Sequence, residues 1–449
     1  MAVYSVTPVA TFATFATFAI AGASSAEIAD SIRALVQAGA LAPGDGLPPV
    51  RELAVQLRVN RNTVAAAYQR LTRFGILVSQ GRNGTAVAAP APAGAQEGAL
   101  AGSPLADLAS GNPNPDWLVD PVRLLASVER RPRLYGAAVI DAGLEALARP
   151  WLAPDCAPGY ALTLCHGTVD AIERLAAAHL VPGDKVAVED PGYLGSLHAL
   201  RLAGLQPQGV AVDAQGMRPE ALAARLAGGA QAVLVTPRAH NPTGASLSAA
   251  RARALAAVLA AHPHVLVIVD DHFGLVARTP FFSPVPPAAT RWALVRSVSK
   301  ALGPDLRLAF VASDAGTARR LHARLGPGMG WVSHLLQDLV RAALGSADVR
   351  DRVAAARGHY ARRCAELVAA LAGQGIDCPA PADGFNVWLP IAGDAQAVAH
   401  AMARRGWLVR SGDAFGVERA PAAVRLTVST LAHGQAARVA ADLAACLAG

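Results

Sequence analysis

Lysine is almost absent from this chain, and one of its two lysines stands where chemistry is possible. The sequence has 40 basic residues, but only Lys185 and Lys300 are lysines. Lys185 belongs to a Pro-Gly-Asp-Lys turn typical of a solvated surface, whereas Lys300 closes the run Ser297-Val298-Ser299-Lys300 after an apolar stretch. An arginine keeps its proton and forms no imine, whereas a lysine can lose a proton and form one. Lys300 is therefore a candidate for a Schiff base with pyridoxal 5'-phosphate (PLP), and a residual surface lysine is the alternative.

A carboxylate and an amide also stand directly after apolar runs. Asp270 ends the run 265–270, and a carboxylate that close to a core needs a partner, such as a protonated pyridine nitrogen. The alternative is a helix N-cap, which suits Asp271 better than Asp270. Asn241 precedes Pro242 after another apolar run and can point its amide into a site.

Four further residues favour binding of a phosphorylated ring. Gly167 and Thr168 follow an apolar run and open a helical pattern, so their N–H groups and a hydroxyl can face an anion. Arg307, seven residues after Lys300, can hold a dianion with both arms of its guanidinium group. Tyr193 would bring an aromatic ring near the same edge, although a packed tyrosine in an ordinary turn is the alternative.

The elements that must position these residues alternate between short apolar strands and helices rich in alanine, leucine and arginine. This alternation predicts an α/β domain with a largely parallel sheet, in which ligands bind at the carboxyl ends of the strands. The predicted strands are residues 161–165, 185–189, 210–212, 232–236, 265–270, 293–298 and 307–312. Helical patterns between them include residues 169–180, 192–203 and 249–261.

The amino-terminal part of the chain predicts a different architecture. Apolar spacing indicates helices at 26–41, from 47 to about 57, and at 61–74, followed by a two-stranded wing with a glycine-rich tip. Residues 24–90 contain seven arginines and four carboxylates, a net charge of +3, which favours an anionic partner. The third helix would present Arg61, Asn62 and Thr63 to base edges, and Arg82 at the wing tip could reach a minor groove. An unrelated three-helix domain with an arginine-rich surface is the alternative.

Each of the two regions of the chain resembles a known protein family. The segments Leu47-Pro48-Pro49-Val50-Arg51-Glu52-Leu53-Ala54 and Val59-Asn60-Arg61-Asn62-Thr63-Val64 resemble the winged helix of GntR-type regulators, which implies Arg51, Arg61, Asn62 and Thr63 as DNA contacts. The set Asn241-Pro242-Thr243-Gly244, Asp270, Ser297-Val298-Ser299-Lys300 and Arg307 resembles the fold type I PLP enzymes of the aminotransferase superfamily. The implied fold has a large α/β domain with a mainly parallel sheet and a small carboxy-terminal α+β domain.

The aminotransferase resemblance also implies a role for each site residue. Lys300 would carry PLP as an internal aldimine, Asp270 would bind the pyridine nitrogen, Asn241 the phenolic oxygen, and Tyr193 would stack on the ring. The phosphate would be held by Gly167, Thr168, Ser297 and Arg307, with Tyr135 reaching the phosphate of a neighbouring subunit. Arg425 resembles the arginine that takes a substrate carboxylate. One position departs from the pattern: His272 stands where the family usually has a tyrosine that binds the phenolic oxygen, which puts efficient transamination in doubt.

The two halves together resemble the MocR family of bacterial regulators, and several segments are close to its PtsJ-like subgroup, tied to vitamin B6 salvage. The resemblance implies a homodimeric, PLP-responsive transcriptional regulator that binds a double-stranded DNA operator. In that interpretation PLP, with or without an amino acid or amine, binds across the dimer interface. The alternative is an aminotransferase with an accessory DNA-binding head. The expected boundaries are a winged helix at 24–87, a linker at 88–106 and a PLP-binding domain at 107–449.

Composition restricts the remaining possibilities. An apolar content of 53% and a charged content of 16% over 449 residues exclude a disordered chain and predict two or three packed domains. Five scattered cysteines without a paired motif indicate reduced thiols, so we expect a cytoplasmic protein with no metal site. Residues 1–23 are apolar and repetitive but lack a basic start, and we expect a disordered or misassigned extension rather than a signal peptide.

Overall fold

The computed structural model describes residues 20–79, 84–88, 98, 102–128, 132–326, 328, 330–381 and 383–448. The chain forms two compact units, Met1–Ala93 and Gly94–Gly449. Within the described ranges, no helix is long and apolar enough to cross a membrane.

The amino-terminal unit is a winged helix-turn-helix. Its elements are α1 (Ser25–Gln37), α2 (Val50–Leu57), α3 (Arg61–Arg73), β1 (Leu77–Ser79) and β2 (Thr85–Val87), and the two strands pair antiparallel. Side-chain caps begin two of the helices, since Ser24 accepts from the Glu27 N–H and Asn60 from the Asn62 N–H. Arg58 takes a left-handed conformation that ends α2 and turns the chain into α3.

Apolar faces of the three helices form the core of this unit. Ile28, Leu53 and Val64 have no exposed surface. Ile20, which the sequence interpretation placed in an amino-terminal extension, is 5% exposed and packs in the same core. Residues 1–19 of that extension lie outside the described residues, as do Arg82 at the predicted wing tip and most of the predicted linker.

The larger unit is built around a mixed sheet of eight strands, counted over the described residues. The order is β4-β11-β10-β9-β8-β5-β6-β7, and the predicted α/β fold class is confirmed. The strands are β4 (Ala161–Cys165), β5 (Lys185–Asp190), β6 (Gln206–Asp213), β7 (Gly216–Met217), β8 (Ala230–Val235), β9 (Leu266–Asp271), β10 (Trp292–Ser297) and β11 (Ala309–Ser313). The helices that precede, connect or follow these strands are α4 (Pro121–Ala126), α5 (Ala142–Leu152), α6 (Thr168–His179), α7 (Leu194–Leu202), α8 (Pro219–Ala227), α9 (Ala249–Ala260), α10 (Ser299–Leu302), α11 (Ala315–Leu325) and α12 (His334–Gly345).

Alternation along the strands gives this sheet two buried faces. On β9, Leu266 and Ile268 pack in one core cluster, whereas Val267 and Val269 pack in the other. Successive side chains of a strand point to opposite faces, so Asp270 and Asp271 point to opposite sides of the sheet. The same alternation on β10 separates Arg296 from Ser297.

Strand β11 runs antiparallel to both of its neighbours, β10 and β4. Its amino end therefore meets the carboxyl ends of those strands. This direction explains how Arg307, two residues before β11 begins, reaches the same edge of the sheet as residues that follow β4 and β10.

A second sheet of four strands lies in the carboxy-terminal part of the unit. Its described order is β12-β14-β13-β3, and the first strand in sequence, at residues 106–108, pairs parallel with β13. The elements are β3 (Ala106–Leu108), β12 (Asn386–Pro390), β13 (Trp407–Ser411), β14 (Ala423–Thr427), α13 (Ala347–Gly373), α14 (Ala395–Arg404) and α15 (Gln435–Ala448). Two pairings in this sheet position the site: β14 carries Arg425, and β3 leads into Gly111.

Candidate cofactor site and DNA-contact face

Asp270 and His272 form a buried acid–imidazole pair at the carboxyl end of β9. Asp270 is 3% exposed, and its Oδ1 lies 3.1 Å from Nδ1 of His272. The apolar residues of β9 are buried as far as Val269, and Asp270 is the first polar residue of the strand. A buried carboxylate with an imidazole partner can retain its charge and can hold a protonated ring nitrogen.

Gly167, Thr168, Ser297 and Arg307 lie at one edge of the sheet and form a candidate anion-binding site, here called the anion cradle. Gly167 adopts φ +94° immediately before α6, and a Cβ there would lie 3.2 Å from Nη2 of Arg307. Arg307 Nη2 donates to the carbonyl of His166 at 2.9 Å. The Oγ1 atom of Thr168 is buried and has no hydrogen-bond partner among the described residues. This hydroxyl group would donate a hydrogen bond to a phosphate oxygen bound here.

Two serines complete the cradle next to Lys300. Ser297 is 3% exposed, its Oγ donates to Oγ of Ser299 at 3.1 Å, and it accepts from the Ser299 N–H at 3.1 Å. The four residues of α10 begin directly after this turn. The local geometry therefore couples the hydroxyls of the cradle to the backbone that carries Lys300.

The Lys300 amine faces the inside of the site. Its Nζ donates to the carbonyl of Gly111 at 2.6 Å and lies 5.6 Å from the centroid of the Phe385 ring. Phe385 has no exposed surface. A partly buried amine beside a buried aromatic ring is a group that can form an imine with an aldehyde.

Asn241 and Arg425 form a buried hydrogen-bonded pair. Asn241 is 2% exposed and Arg425 has no exposed surface. Arg425 donates from Nη1 to Oδ1 of Asn241 at 2.8 Å and from Nη2 to the carbonyl of Ala109 at 2.5 Å. Because Oδ1 accepts from the arginine, the amide N–H₂ of Asn241 is the group that can donate to a phenolic oxygen.

The two aromatic candidates lie in different environments. The half-buried Tyr193 ring lies 6.3 Å from the His272 ring, centroid to centroid, with 23° between the planes. Tyr135 is 92% exposed and makes an edge contact with Trp331. Tyr193 is thus part of the cluster around Asp270, whereas the described contacts of Tyr135 do not join it to that cluster.

Sequence reasoning missed a second buried acid–imidazole pair beside the first. Oε2 of Glu189 lies 3.3 Å from Nε2 of His240, and both residues are at most 4% exposed. Burial raises the pKa of Glu189 to about 8 and lowers the pKa of His240 to about 3, with the charge of His272 adding to the latter shift. The Thr236 N–H donates to the same Glu189 oxygen at 3.1 Å. Glu189 ends an apolar run just as Asp270 does, and that was the signal available in the sequence.

Asp271 is not a helix N-cap. No helix begins in the described residues directly after it, and its carboxylate instead pairs with two arginines, Arg238 and Arg296. Burial alone would raise the pKa of Asp271, but the hydrogen bonds and charges of the two arginines lower it. The alternative offered by the sequence is therefore wrong for this residue.

The described residues among the predicted DNA contacts lie on α2 and at the first turn of α3. Arg61 and Asn62 are exposed at the first turn of α3, Thr63 is half-buried there, and Arg51 is exposed on α2. Tyr68 on the inner side of α3 donates from its hydroxyl to the carbonyl of Pro48 at 2.8 Å. This bond fixes α3 against the start of α2 and leaves the first turn facing solvent.

The described residues fit PLP. The cradle offers a guanidinium group, hydroxyls and a helix amino terminus to a phosphate, Lys300 offers an amine, and Asp270 offers a buried carboxylate. Each of these groups suits one part of the phosphorylated pyridine aldehyde. In the part of the chain that the structure describes, no group of three metal-ligating side chains is found.

Family models match both units. The model for aminotransferase class I and II matches residues 134–443, and the model for bacterial regulatory proteins of the gntR family matches residues 24–87.

Curated relatives and solved structures agree with both matches. The vitamin B6 salvage pathway transcriptional repressor PtsJ of Salmonella typhimurium is 49% identical over 423 residues, 94% of this chain and 98% of the relative. The pyridoxine biosynthesis regulator PdxR of Corynebacterium glutamicum is 27% identical and covers 75% of this chain and 76% of its own. A Pyrococcus horikoshii kynurenine aminotransferase, solved with PMP, superposes with a TM-score of 0.70 at 20% identity, over 77% of this chain and 91% of its own.

Proposed function

Because the chain belongs to the aminotransferase class I and II family and carries the gntR-type domain of the MocR regulators, we propose that it is a PLP-responsive repressor of vitamin B6 salvage genes. The observation that carries this proposal is the presence in one chain of a winged helix with an exposed first turn on α3 and a buried polar site around Lys300 whose groups fit PLP. The relationship to a vitamin B6 salvage repressor at 49% identity supports the choice of target genes. A protein that reads operator DNA works in the bacterial cytoplasm, which we propose as its compartment.

Each group around Lys300 has one task in this proposal. PLP supplies an aldehyde carbon for covalent attachment and an electron-withdrawing ring. Lys300 provides the amine and Asp270 holds the proton of the ring nitrogen, with His272 hydrogen-bonded to the same carboxylate. Asn241 donates to the phenolic oxygen, and Tyr193 covers one face of the ring.

The phosphate end of the site is held by the anion cradle. Arg307 neutralises the dianion, and Thr168 donates a hydroxyl hydrogen bond to it. Ser297 donates to the phosphate when its hydroxyl proton turns away from Ser299 Oγ. The N–H groups at the start of α6 add to this binding because a helix amino terminus attracts anions. Gly167 allows the guanidinium group of Arg307 to approach the backbone closely.

The winged helix supplies the DNA contacts. Arg61 and Asn62 read base edges in the major groove, while Arg51 and Thr63 position the helix on the phosphate backbone. Arg82 of the wing, which is outside the described residues, extends the contact to the minor groove. PLP can change this binding only by its differential affinity for the DNA-binding and non-binding arrangements of the chain.

We propose a homodimer as the working form. An apolar surface containing Leu134, Tyr135 and Leu335, which are 77%, 92% and 52% exposed, supports an interface on this side of the larger unit. Tyr135 would then reach the cofactor phosphate of the partner. Two winged helices in one dimer would also match an operator of two half-sites.

The deciding experiment measures DNA affinity with and without PLP. The chain, freed of cofactor, is titrated against the DNA upstream of its own gene and against an unrelated duplex of the same length at several salt concentrations. We expect sequence-specific binding that changes at least severalfold when PLP is added. Equal affinity for both duplexes, unaffected by PLP, would overturn the proposal.

A second candidate function is transamination, favoured by the pairing of Arg425 with Asn241. A buried arginine at this position suits the carboxylate of an amino acid, which could serve as a second effector or as a substrate. Fast turnover of a natural amino acid without DNA affinity at low salt would support the enzyme. His272, in place of the usual tyrosine, leads us to expect slow turnover.

A further inference from the structure

A buried ion cluster lies on the far side of β9 from Asp270. We use the name ion cluster for Asp155, Arg238, Asp271 and Arg296. Arg238 binds both oxygens of Asp271, from Nε at 2.8 Å and from Nη2 at 2.9 Å. Arg296 donates from Nε to Asp271 at 2.6 Å and from Nη2 to Asp155 at 2.7 Å.

The charged groups of the ion cluster are largely buried. Arg296 and Asp271 have no exposed surface, and Arg238 is 8% exposed. The Arg296 guanidinium group lies 4.9 Å from the centroid of the Trp151 ring and also donates to the Trp151 carbonyl at 3.2 Å. Arg238 donates its third bond to the carbonyl of Thr279 at 3.2 Å. Two positive and two negative charges thus balance inside the protein with their hydrogen bonds made.

Every central member of the cluster is a close neighbour, along the chain, of a residue of the cofactor site. Asp271 follows Asp270, Arg296 precedes Ser297, and Arg238 stands three residues before Asn241. These residues come from the ends of β8, β9 and β10, which are adjacent in the sheet. Arg296 and Asp271 are direct partners in the parallel register of β10 and β9.

Because strand side chains alternate, the two faces of these strand ends carry different groups. One face presents Asp270 and Ser297 to the cofactor, and the opposite face presents Asp271 and Arg296 to the ion cluster. A shift of one strand end relative to its neighbour would break charged hydrogen bonds in the ion cluster. The same shift would displace Asp270 or Ser297 on the other face.

We propose that the ion cluster is a positioning device that fixes the ends of β8, β9 and β10, and thereby sets where Asn241, Asp270 and Lys300 stand around PLP. The proposal rests on Lys300 being the attachment point of PLP. A buried ion pair is a weak way to gain stability, because desolvation offsets most of the attraction. Its directional bonds do restrict geometry, which is what a site made from three strand ends requires.

Gly274 provides a way to disturb the cluster without removing a charge. A Cβ at this position would lie 2.9 Å from Oδ2 of Asp271 and 3.1 Å from Cγ of Arg296. Gly274→Ala must therefore displace the pair while every charged group is kept. The turn that contains Gly274 also carries His272, so the displacement acts on the Asp270–His272 pair.

Asp155→Asn is the milder second variant. Its side chain is 21% exposed and is the outermost arm of the cluster. The amide can still accept one hydrogen bond from Arg296, so the protein is expected to fold. Asp442→Asn is the matched control, because Asp442 is a partly buried carboxylate on α15 with Arg405 and Arg438 as partners and an indole N–H bond from Trp407.

The test measures the pH midpoint of the visible band of bound PLP, PLP affinity and thermal stability of the full-length protein. We expect Asp155→Asn and Gly274→Ala to weaken PLP affinity by about tenfold and to shift the pH midpoint, the loss typical of removing groups that orient a ligand contact. Asp442→Asn is expected to lower thermal stability at most, with the midpoint and the affinity unchanged.

The outcomes separate this inference from the proposed function. If Asp155→Asn folds and keeps both the midpoint and the affinity of the wild type, the positioning role is wrong, whatever Gly274→Ala does. If Lys300→Ala retains the borohydride-sensitive band, the attachment point itself is wrong. A wild type that binds PLP at Lys300 but ignores it on DNA would contradict the repressor and leave the positioning test intact.

Discussion

The two polar sites of this chain are built in opposite ways. The proposed DNA-contact face of α3 presents Arg61 and Asn62 to solvent, and both belong to a single helical turn capped by Asn60. The proposed cofactor site instead gathers buried groups from distant segments: Asn241 is bonded to Arg425, 184 residues away, and Lys300 to Gly111, 189 residues away.

This difference determines what a substitution does. An exposed contact on α3 makes few bonds within the protein, so its removal should affect the partner and leave the fold intact. A buried polar group in the proposed cofactor site is held by other residues and shielded from water, so its substitution should change the stability of the protein as well as binding. Four predictions test this contrast, from the largest effect to the smallest.

Lys300→Ala should abolish covalent attachment of PLP completely, because no other amine is described in the site and alanine cannot form an imine. The visible band that disappears on borohydride treatment should be absent from the variant. DNA affinity of the cofactor-free protein should match that of the cofactor-free wild type. Lys185→Ala, the only other lysine substitution that the sequence permits, is the control and should behave as the wild type.

Glu189→Gln should make the folded protein more stable than the wild type at neutral and alkaline pH. Burial raises the pKa of Glu189 to about 8 from its ordinary value of 4.5, so the folded state keeps a proton that the unfolded state releases. The wild type therefore loses stability as the pH rises from about 4.5 to about 8, whereas the variant has no proton to release there. At pH 8 the free energy of unfolding of the variant should exceed that of the wild type by on the order of a few kcal/mol.

Thermal unfolding of both proteins between pH 5 and 8.5 measures this gain. The difference between them should grow with pH and level off above pH 8. Glu173→Gln on α6 is a suitable control for removing a carboxylate without such burial. Parallel pH curves of the wild type and Glu189→Gln would show that Glu189 is ionised in the folded protein.

Arg61→Ala should weaken operator binding by about 1–3 kcal/mol and relax the sequence preference at one position. Its thermal stability should stay within about 0.5 kcal/mol of the wild type, and the PLP spectrum should not change. Arg33→Ala on α1 is the matched control, because Arg33 is exposed in the same unit and pairs with Asp30. Equal losses in both variants would mean that general charge, and not the first turn of α3, carries the binding.

The contrast between the two sites also explains what the sequence could predict. The first turn of α3 follows from local signals, namely the Asn60 cap and helical apolar spacing, and Arg61, Asn62 and Thr63 lie in that turn as predicted. Asp270 and Asn241 were selected as candidates because alternating strands and helices place such residues at one edge of a sheet.

Residues whose roles arise from pairing across the fold carried no such signal. Arg238 and Arg296 look like ordinary polar interruptions until their strand ends are placed beside Asp271. The three residues of β3 are too few to show a period, and their partner β13 lies about 300 positions further along the chain. The direction of β11, which brings Arg307 to the cradle, depends on its neighbours in the sheet and not on its own sequence.

Tyr135→Phe should have the smallest effect, a loss of about 1 kcal/mol in PLP affinity, or roughly fivefold, which is typical of the net contribution of one hydrogen bond. Tyr135 is exposed like a DNA contact but is proposed to serve the buried site of a partner subunit, so it stands between the two kinds of site compared above.

Tyr160→Phe is the control, because its hydroxyl donates to the Arg149 carbonyl at 3.1 Å within the chain. Affinity is measured by titration of PLP above and below the concentration at which the dimer dissociates. A loss that is the same for monomer and dimer would contradict the contact across the interface, whereas a loss confined to the dimer would show that an exposed residue of one subunit completes the buried site of the other.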